Sequence, residues 1–334
     1  MKPIDLRSDT LTKPVAAMKQ AMFEADIGDD VYGEDPTVNM LEKKAAALLD
    51  KEDAIFCSSG TQSNLIALMA HCERGDEYIV GQDAHTYKYE AGGAAVLGSI
   101  QPQPILFDAD GTLNLDTIKS VIKPDDSHFA KTKLLCLENT TGGKVLPLAY
   151  LDKAKDLVDE YQLAFHLDGA RLFNAVVSQG VDVKQIATGF DSVSICLSKG
   201  LGAPIGSVLV ASSEVIAKAR RIRKMLGGGM RQAGMLAAAG IYALDNHVHR
   251  LVDDHNNAQS LAHGLSTIEG INLHGSVQTN ILFISAERQQ QLVEFLAHKN
   301  IIISNGKLIR LVTHLDINSN DVAEVVAAVK EFYY

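Results

Sequence analysis

The chain has no tryptophan, only four cysteines in 334 residues, and no C-x-x-C pair. Cys57, Cys72, Cys136 and Cys196 stand apart, three of them in apolar runs, and read as buried thiols in a reducing cytoplasm. Basic residues are outnumbered, 31 against 41 acidic, for a net charge of −10. That shortage excludes a nucleic-acid or anionic-membrane partner, since either needs a concentrated basic surface. No apolar run approaches the ~18 residues of a membrane helix. No apolar segment of a signal peptide follows Met1-Lys2-Pro3-Ile4-Asp5, which points to the cytoplasm. Internal repeats and low-complexity tracts are also missing.

What is present is an apolar fraction of 46% and 26 glycines. This is ample for a buried core, with many turns and close backbone approaches. The length favours about two domains. One basic cluster, Lys218-Ala219-Arg220-Arg221-Ile222-Arg223-Lys224, reads either as a solvated helix face or as a phosphate or subunit contact.

Strand-like and helix-like segments alternate over most of the length. Ala54–Cys57 is a short apolar run, and an amphipathic helix fits Gln62–Cys72. Glu77–Val80, Leu134–Leu137, Leu163–Leu167, Ser192–Leu197 and Gly206–Val210 read as strands, and Leu151–Tyr161 as a helix. Such alternation implies an α/β fold with a largely parallel sheet and helices on both faces. From about residue 250 the pattern changes: helix-like Leu251–Leu265, strand-like Ile281–Ile284, Ile301–Ile303 and Ile309–Val312, then a helix over Asp321–Phe332. The expected division is an N-terminal segment 1–15, a large unit 16–249 and a small α+β unit 250–334.

Ligands of parallel sheets sit at the carboxyl ends of the strands. Two such ends carry chemistry here: His166-Leu167-Asp168-Gly169-Ala170-Arg171 and Ser198-Lys199-Gly200. A lysine and a carboxylate delivered to neighbouring strand ends suit pyridoxal phosphate (PLP). The lysine forms a Schiff base, and the carboxylate keeps the pyridine nitrogen protonated so that the ring acts as an electron sink. The plain alternatives are an exposed loop lysine and a helix cap for Gly169–Val177. Arg171 is placed to hold an anion such as an amino-acid carboxylate. Gly60-Thr61 precedes a helix whose N-terminal N–H groups suit a phosphate.

The glycines Gly200, Gly202 and Gly206 do not make a dinucleotide fingerprint, because Pro204 falls in the turn and a strand follows where a helix should start. Gly227-Gly228-Gly229 reads as a tight backbone approach. Among the histidines, His247, His249, His255, His263 and His298 read as surface residues and His166 as a core one. His85 is placed to lie on a ring or move a proton, and His128 is either surface or site. No metal site has usable spacing.

Several long motifs in order match a known family: Ile4–Thr10, Gly28–Thr37, Ser59–Asn64, Glu90–Gly93, His166–Phe173, Leu197–Gly202, Gly227–Arg231 and Arg310–His314. The chain resembles the low-specificity and L-allo-threonine aldolases, PLP enzymes of fold type I (the aspartate-aminotransferase fold). The resemblance implies a largely parallel seven-stranded sheet flanked by helices, with a smaller C-terminal α+β domain. It also implies cleavage of L-threonine or L-allo-threonine to glycine and acetaldehyde. By the same resemblance Lys199 would carry the cofactor, Asp168 would pair with its pyridine nitrogen, His85 would stack on its ring, and Gly60 and Thr61 would hold its phosphate. Arg171 would line the cofactor site and, with Ser8 and Arg310, bind the substrate carboxylate. Arg231 would reach the phosphate region of a neighbouring subunit's site. His85 and His128 would lie near the substrate hydroxyl. The implied assembly is a homotetramer, a dimer of dimers with shared sites. One stretch departs from the family pattern: Thr141-Gly142 replaces His-Asn, which bears on the choice at the β-carbon. The nearest rival on this scaffold is another PLP reaction such as β-elimination.

Overall fold

The computed structural model describes residues 2–334. It is built on a seven-stranded sheet. Its strands are β2 (Asp53–Cys57), β3 (Asp76–Gly81), β4 (Gln101–Ile105), β5 (Lys131–Glu138), β6 (Ala164–Gly169), β7 (Ser192–Cys196) and β8 (Ser207–Ala211). Their spatial order is β2-β8-β7-β6-β5-β3-β4. Only β8 runs against the rest, pairing antiparallel with both β2 and β7. The connection from β7 to β8 has no helix of its own, so the chain turns straight back rather than crossing over. Every residue of β7 is buried, as expected for a central strand covered on both faces.

The expected strands are present with ends moved by no more than three residues. Three further strands appear, two of them in segments with weak signals. One is β4, Gln-Pro-Gln-Pro-Ile, which lies at the sheet edge, the one place where a strand tolerates residues that cannot donate to the ladder. The other is β9 (Ile271–His274), which joins β10 (Ile281–Ala286) and β12 (Ile309–Val312) in a three-stranded antiparallel sheet. The run at Ile301 instead forms β11 (Ile301–Ile302) and pairs in parallel with β1 (Ile4–Asp5) near the amino end.

Two large apolar cores result. One surrounds the seven-stranded sheet, with Phe56, Leu135, Phe165, Val193 and Leu197 at its centre. The other gathers Ile4 and Leu6 with Leu261, Leu282, Leu292, Leu311 and Val325. The amino end is thereby anchored in the small core, and from there it passes across the carboxyl edge of the large sheet. Among the described residues no helix is long and apolar enough to cross a membrane.

Some expectations need correcting. His247 and His255 are buried, not at the surface. Each has found a partner that a polar helical stretch does not disclose: His247 Nδ1 donates to Leu201 O at 2.7 Å, and His255 Nε2 accepts from Asn174 Nδ2 at 3.2 Å. The basic cluster lies in the helix Ser213–Met225 and is more than a solvated face. There Arg220 pairs with Glu42 and Arg223, fully enclosed, with Asp30, each at 2.7 Å. All four cysteines are free and buried.

Candidate active site

Strands β2, β3, β5, β6 and β7 point the same way, so the loops after them share one edge of the sheet. Those loops carry Gly60 and Thr61, His85, Asn139, Arg171 and Lys199 respectively.

Asp168, one residue from the end of β6, lies opposite Glu138 of β5 and is almost fully buried. Its carboxylate is not a helix cap: the helix begins only at Leu172, with Arg171 in the cap position. One oxygen accepts from the Ala170 N–H at 3.0 Å and the other from Asn64 Nδ2 at 2.9 Å. The same Asn64 nitrogen donates to Glu90 Oε1 at 2.9 Å, and Glu90 Oε1 meets His85 Nδ1 at 2.8 Å. His85, Glu90 and Asp168 thus offer ligand atoms within 4.8 Å of one another. Burial, together with the Asp168 charge, raises the pKa of Glu90 despite its hydrogen bond from His85. Glu90 in turn raises that of His85 against partial desolvation.

Lys199 follows β7 in a turn closed by the Gly202 N–H on its carbonyl, which also accepts from the Thr12 hydroxyl at 2.9 Å. Its ammonium bears on Asp9, Glu138 and His85, favouring the charged carboxylates and disfavouring the imidazolium. Burial and the neighbouring Asp168 charge push Glu138 up to about 7. Its Oε2 accepts the His85 N–H at 2.7 Å.

On the other side stand the arginines. Arg171 gives Nε and Nη2 to the buried Asp9 carboxylate, at 2.7 and 2.6 Å. Burial opposes the charge of Asp9, but Arg171 overcomes it and holds the carboxyl at about 2. Arg310 donates to the Arg7 carbonyl at 3.1 Å, and both burial and the nearby Arg171 lower its pKa. The Ser8 hydroxyl accepts from Thr10 N and Thr10 Oγ1 at 3.2 and 2.9 Å.

The helix Gly60–His71 is capped by Ser59, whose hydroxyl accepts from Gln62 N at 3.1 Å. That cap leaves the Gly60 and Thr61 N–H groups at the open end. The buried Ser207 hydroxyl, with no partner among the described residues, would stand 3.5 Å from a Cβ built on Gly60. Gly228 presses on this loop too, since a Cβ there would fall 2.2 Å from Gln62 Nε2.

A family model described as Beta-eliminating lyase matches residues 5–287. The low specificity L-threonine aldolase of Escherichia coli (strain K12) is 56% identical over 331 residues, covering 98% of this chain and 99% of that protein. The chain belongs to the low-specificity L-threonine aldolase family. The solved threonine aldolase of Leishmania major superposes with a TM-score of 0.86 at 23% identity, covering 99% of this chain and 100% of that one. A serine palmitoyltransferase of Sphingomonas wittichii superposes at 0.77 with 18% identity, covering 98% and 86%. These likenesses carry the fold, which is the fold type I architecture.

Two residues that the family resemblance singles out stand apart from this cluster in one chain. His128 is exposed, lies before the first residue of β5 and meets Asp126 at 2.6 Å. The eight residues of β5 separate it from the Glu138 end, a span of ~25 Å. Arg231 is half-exposed, pairs with Asp29 at 3.0 Å and lies 6.0 Å from the Tyr32 ring centroid. The departure at Thr141-Gly142 forms a tight turn: Thr141 and Lys144 exchange backbone hydrogen bonds, and the Thr141 hydroxyl donates to Glu138 O at 2.8 Å. Sequence reasoning missed Asn64, Glu90, Glu138 and Asp9 as working groups. Asp9, Asn64 and Glu90 lie inside the family motifs and Glu138 three residues before Thr141, but only the fold reveals which partner each meets.

Proposed function

We propose that this chain is a PLP-dependent aldehyde-lyase that cleaves L-threonine, L-allo-threonine or both between Cα and Cβ, giving glycine and acetaldehyde. The observation that carries the reading is the placement of Lys199 and the buried Asp168 at neighbouring strand ends, in a family member matched over its whole length. The free N–H groups of Gly60 and Thr61 and the unpartnered Ser207 hydroxyl fit a phosphate. The Asp168 carboxylate, accepting from two donors and aimed at the site, fits a protonated ring nitrogen.

When bound, PLP supplies an electron sink for the pair released from the Cα–Cβ bond. Lys199 contributes the amine that anchors the cofactor. Asp168 holds the proton at the pyridine nitrogen. Arg171, Arg310 and Ser8 bind the substrate carboxylate. Because Asp9 takes Nε and Nη2, Arg171 offers Nη1 to that anion. Holding the carboxylate would orient the substrate and so select which bond at Cα is cleaved. His85 takes the β-hydroxyl proton. Glu90 accepts from Nδ1–H, so Nε2 keeps the lone pair that a base needs.

The active form is a homotetramer in the cytoplasm, with His128 and Arg231 supplied to a site by other subunits. Exposed apolar side chains such as Phe23, Tyr32, Met40, Val96, Leu106 and Met225 support burial against further copies. Four unpaired thiols support a reducing compartment. The division into segment 1–15 and units 16–249 and 250–334 is supported by the two apolar cores.

The deciding experiment is acetaldehyde release from L-threonine and L-allo-threonine in parallel, with PLP present. Release from either supports the reading, and the ratio of rates gives the β-carbon preference. The Beta-eliminating lyase match favours one second reading, elimination, which would yield ammonia and a keto acid instead.

A further inference from the structure

Behind Asp168 a file of buried polar side chains leads away from the site. Asn64 Nδ2 donates one hydrogen to Asp168 Oδ2 and the other to Glu90 Oε1, both at 2.9 Å. Asn64 Oδ1 faces His166 Nε2 at 3.4 Å. His166 Nδ1 faces the Ser192 hydroxyl at 2.8 Å, and that hydroxyl faces His71 Nε2, also at 2.8 Å. Asn64, His166 and Ser192 are buried, while His71 lines a surface groove beside Asp50, Lys51, Lys155 and Asp191. Neither His166 nor Ser192 touches the reacting groups, yet each is polar inside an apolar core, where an unpaired group is costly.

The donor inventory fixes the direction of this file. Two carboxylates can only accept, so both hydrogens of the Asn64 amide point at them. Its oxygen must then accept, and the hydrogen comes from His166 Nε2. His166 is enclosed and kept neutral by burial and by the neighbouring His71, which together push its pKa down to about 3. With Nε2 protonated, Nδ1 is a bare lone pair that accepts from the Ser192 hydroxyl. The Ser192 oxygen accepts from His71 Nε2–H in turn. Every donor therefore points toward Asp168 and Glu90, and a chain of this polarity strengthens each member. Rotating the Asn64 amide by half a turn would set its oxygen against two carboxylates.

We propose that His166 is a positioning residue: its Nε2–H locks the Asn64 amide so that one nitrogen holds both Asp168 and Glu90, with Ser192 and His71 locking the tautomer that this requires. Through Asn64 the relay orients the carboxylate for the ring nitrogen and, through Glu90, the His85 imidazole. It rests on the PLP reading of the site, since the consequence at Asp168 is felt by that cofactor.

The test uses the full chain labelled with 15N-histidine, with and without PLP. Two-bond proton–nitrogen correlation spectra report which ring nitrogen carries the proton, and His166→Gln assigns the signal. The expected His166 is neutral with its proton on Nε2 in both forms; a proton on Nδ1, or on both nitrogens, overturns the proposal. Ser192→Ala should mix the tautomers and weaken PLP binding roughly tenfold, about one hydrogen bond. His166→Gln keeps a donor at the Nε2 position and should hold PLP within about threefold of wild type. His166→Leu keeps none and should fall with Ser192→Ala. Equal PLP affinity in all three variants also overturns the proposal. A variant that fails to fold leaves the wild-type tautomer as the deciding observation. If the wild-type chain does not bind PLP at all, the proposed function falls, while the tautomer in the cofactor-free chain still decides the relay.

Discussion

Asp9 and Arg171 are joined fork to fork, with Nε on Oδ2 and Nη2 on Oδ1, although 162 positions separate them. The carboxylate is fully enclosed and the guanidinium nearly so. Asn280 adds a third contact to Asp9 at 3.3 Å. The pair ties the amino end of the chain, itself anchored in the small core, to the loop after β6. Geometry at the substrate carboxylate therefore depends on a residue from the first turn of the chain.

Asp9→Asn should cost ~3–5 kcal/mol, because it leaves the Arg171 charge enclosed without its partner. The denaturant midpoint reads this loss, and a midpoint within error of wild type would contradict it. KM for threonine should rise as Arg171 loses its fixed direction. The pH sign follows from the depressed carboxyl at about 2. The contribution of the pair is fully present above the ordinary aspartate range and is lost as pH falls through about 2, so acid unfolding of Asp9→Asn should lack this component.

Glu138 titrates in the opposite sense. Its folded pKa, about 7, lies above the ordinary 4.5, so between these values the folded chain holds a proton that the unfolded chain has released. Stability of the cofactor-free chain should fall as pH rises across that window. Glu138→Gln retains an oxygen to accept the His85 N–H and should flatten the slope. A melting profile from pH 4.5 to 8 that is unchanged by the substitution would show that Glu138 is not its source.

Lys199→Ala should abolish acetaldehyde release, by more than roughly a thousandfold, as expected when a covalent anchor is removed. Asp168→Ala should lose both cofactor affinity and rate. Near-native turnover in the first variant, or unchanged PLP retention in the second, would remove that residue from its proposed role.

Those two residues were legible because strand ends are legible: an apolar run that stops at a lone charged residue marks where a parallel sheet exposes its chemistry. Asn64, Glu90 and Asp9 were not, because each acts through a partner that only the fold brings near; 104 positions separate Asn64 from Asp168. The same limit hid His247, at the C-terminal end of the helix Gly234–Asn246, and His255, inside the helix Leu251–Ser266, each of which turns its imidazole inward onto a hydrogen bond. The edge strand β4 was hidden for a different reason. Its two prolines contradict every strand signal except position at an edge, and position is not written in a local window.

The last prediction concerns His85. Glu90 raises its pKa by accepting from Nδ1, so His85 holds a proton to higher pH than a free imidazole would. A base must be neutral to act, so the acidic limb of kcat should lie above the ordinary histidine value of 6.5. Glu90→Gln removes the charge but keeps the acceptor, because His85 and Asn64 both meet Oε1. The limb should then move to lower pH with the site geometry retained. The plateau rate need not rise, since a less basic imidazole is also a weaker proton acceptor. If the limb stays in place in Glu90→Gln, the group it reports is not His85. A direct histidine titration followed by NMR in the same variant separates that outcome from a Glu90 too weakly coupled to matter: a ring whose titration moves while the kinetic limb does not would assign the β-hydroxyl proton to another base.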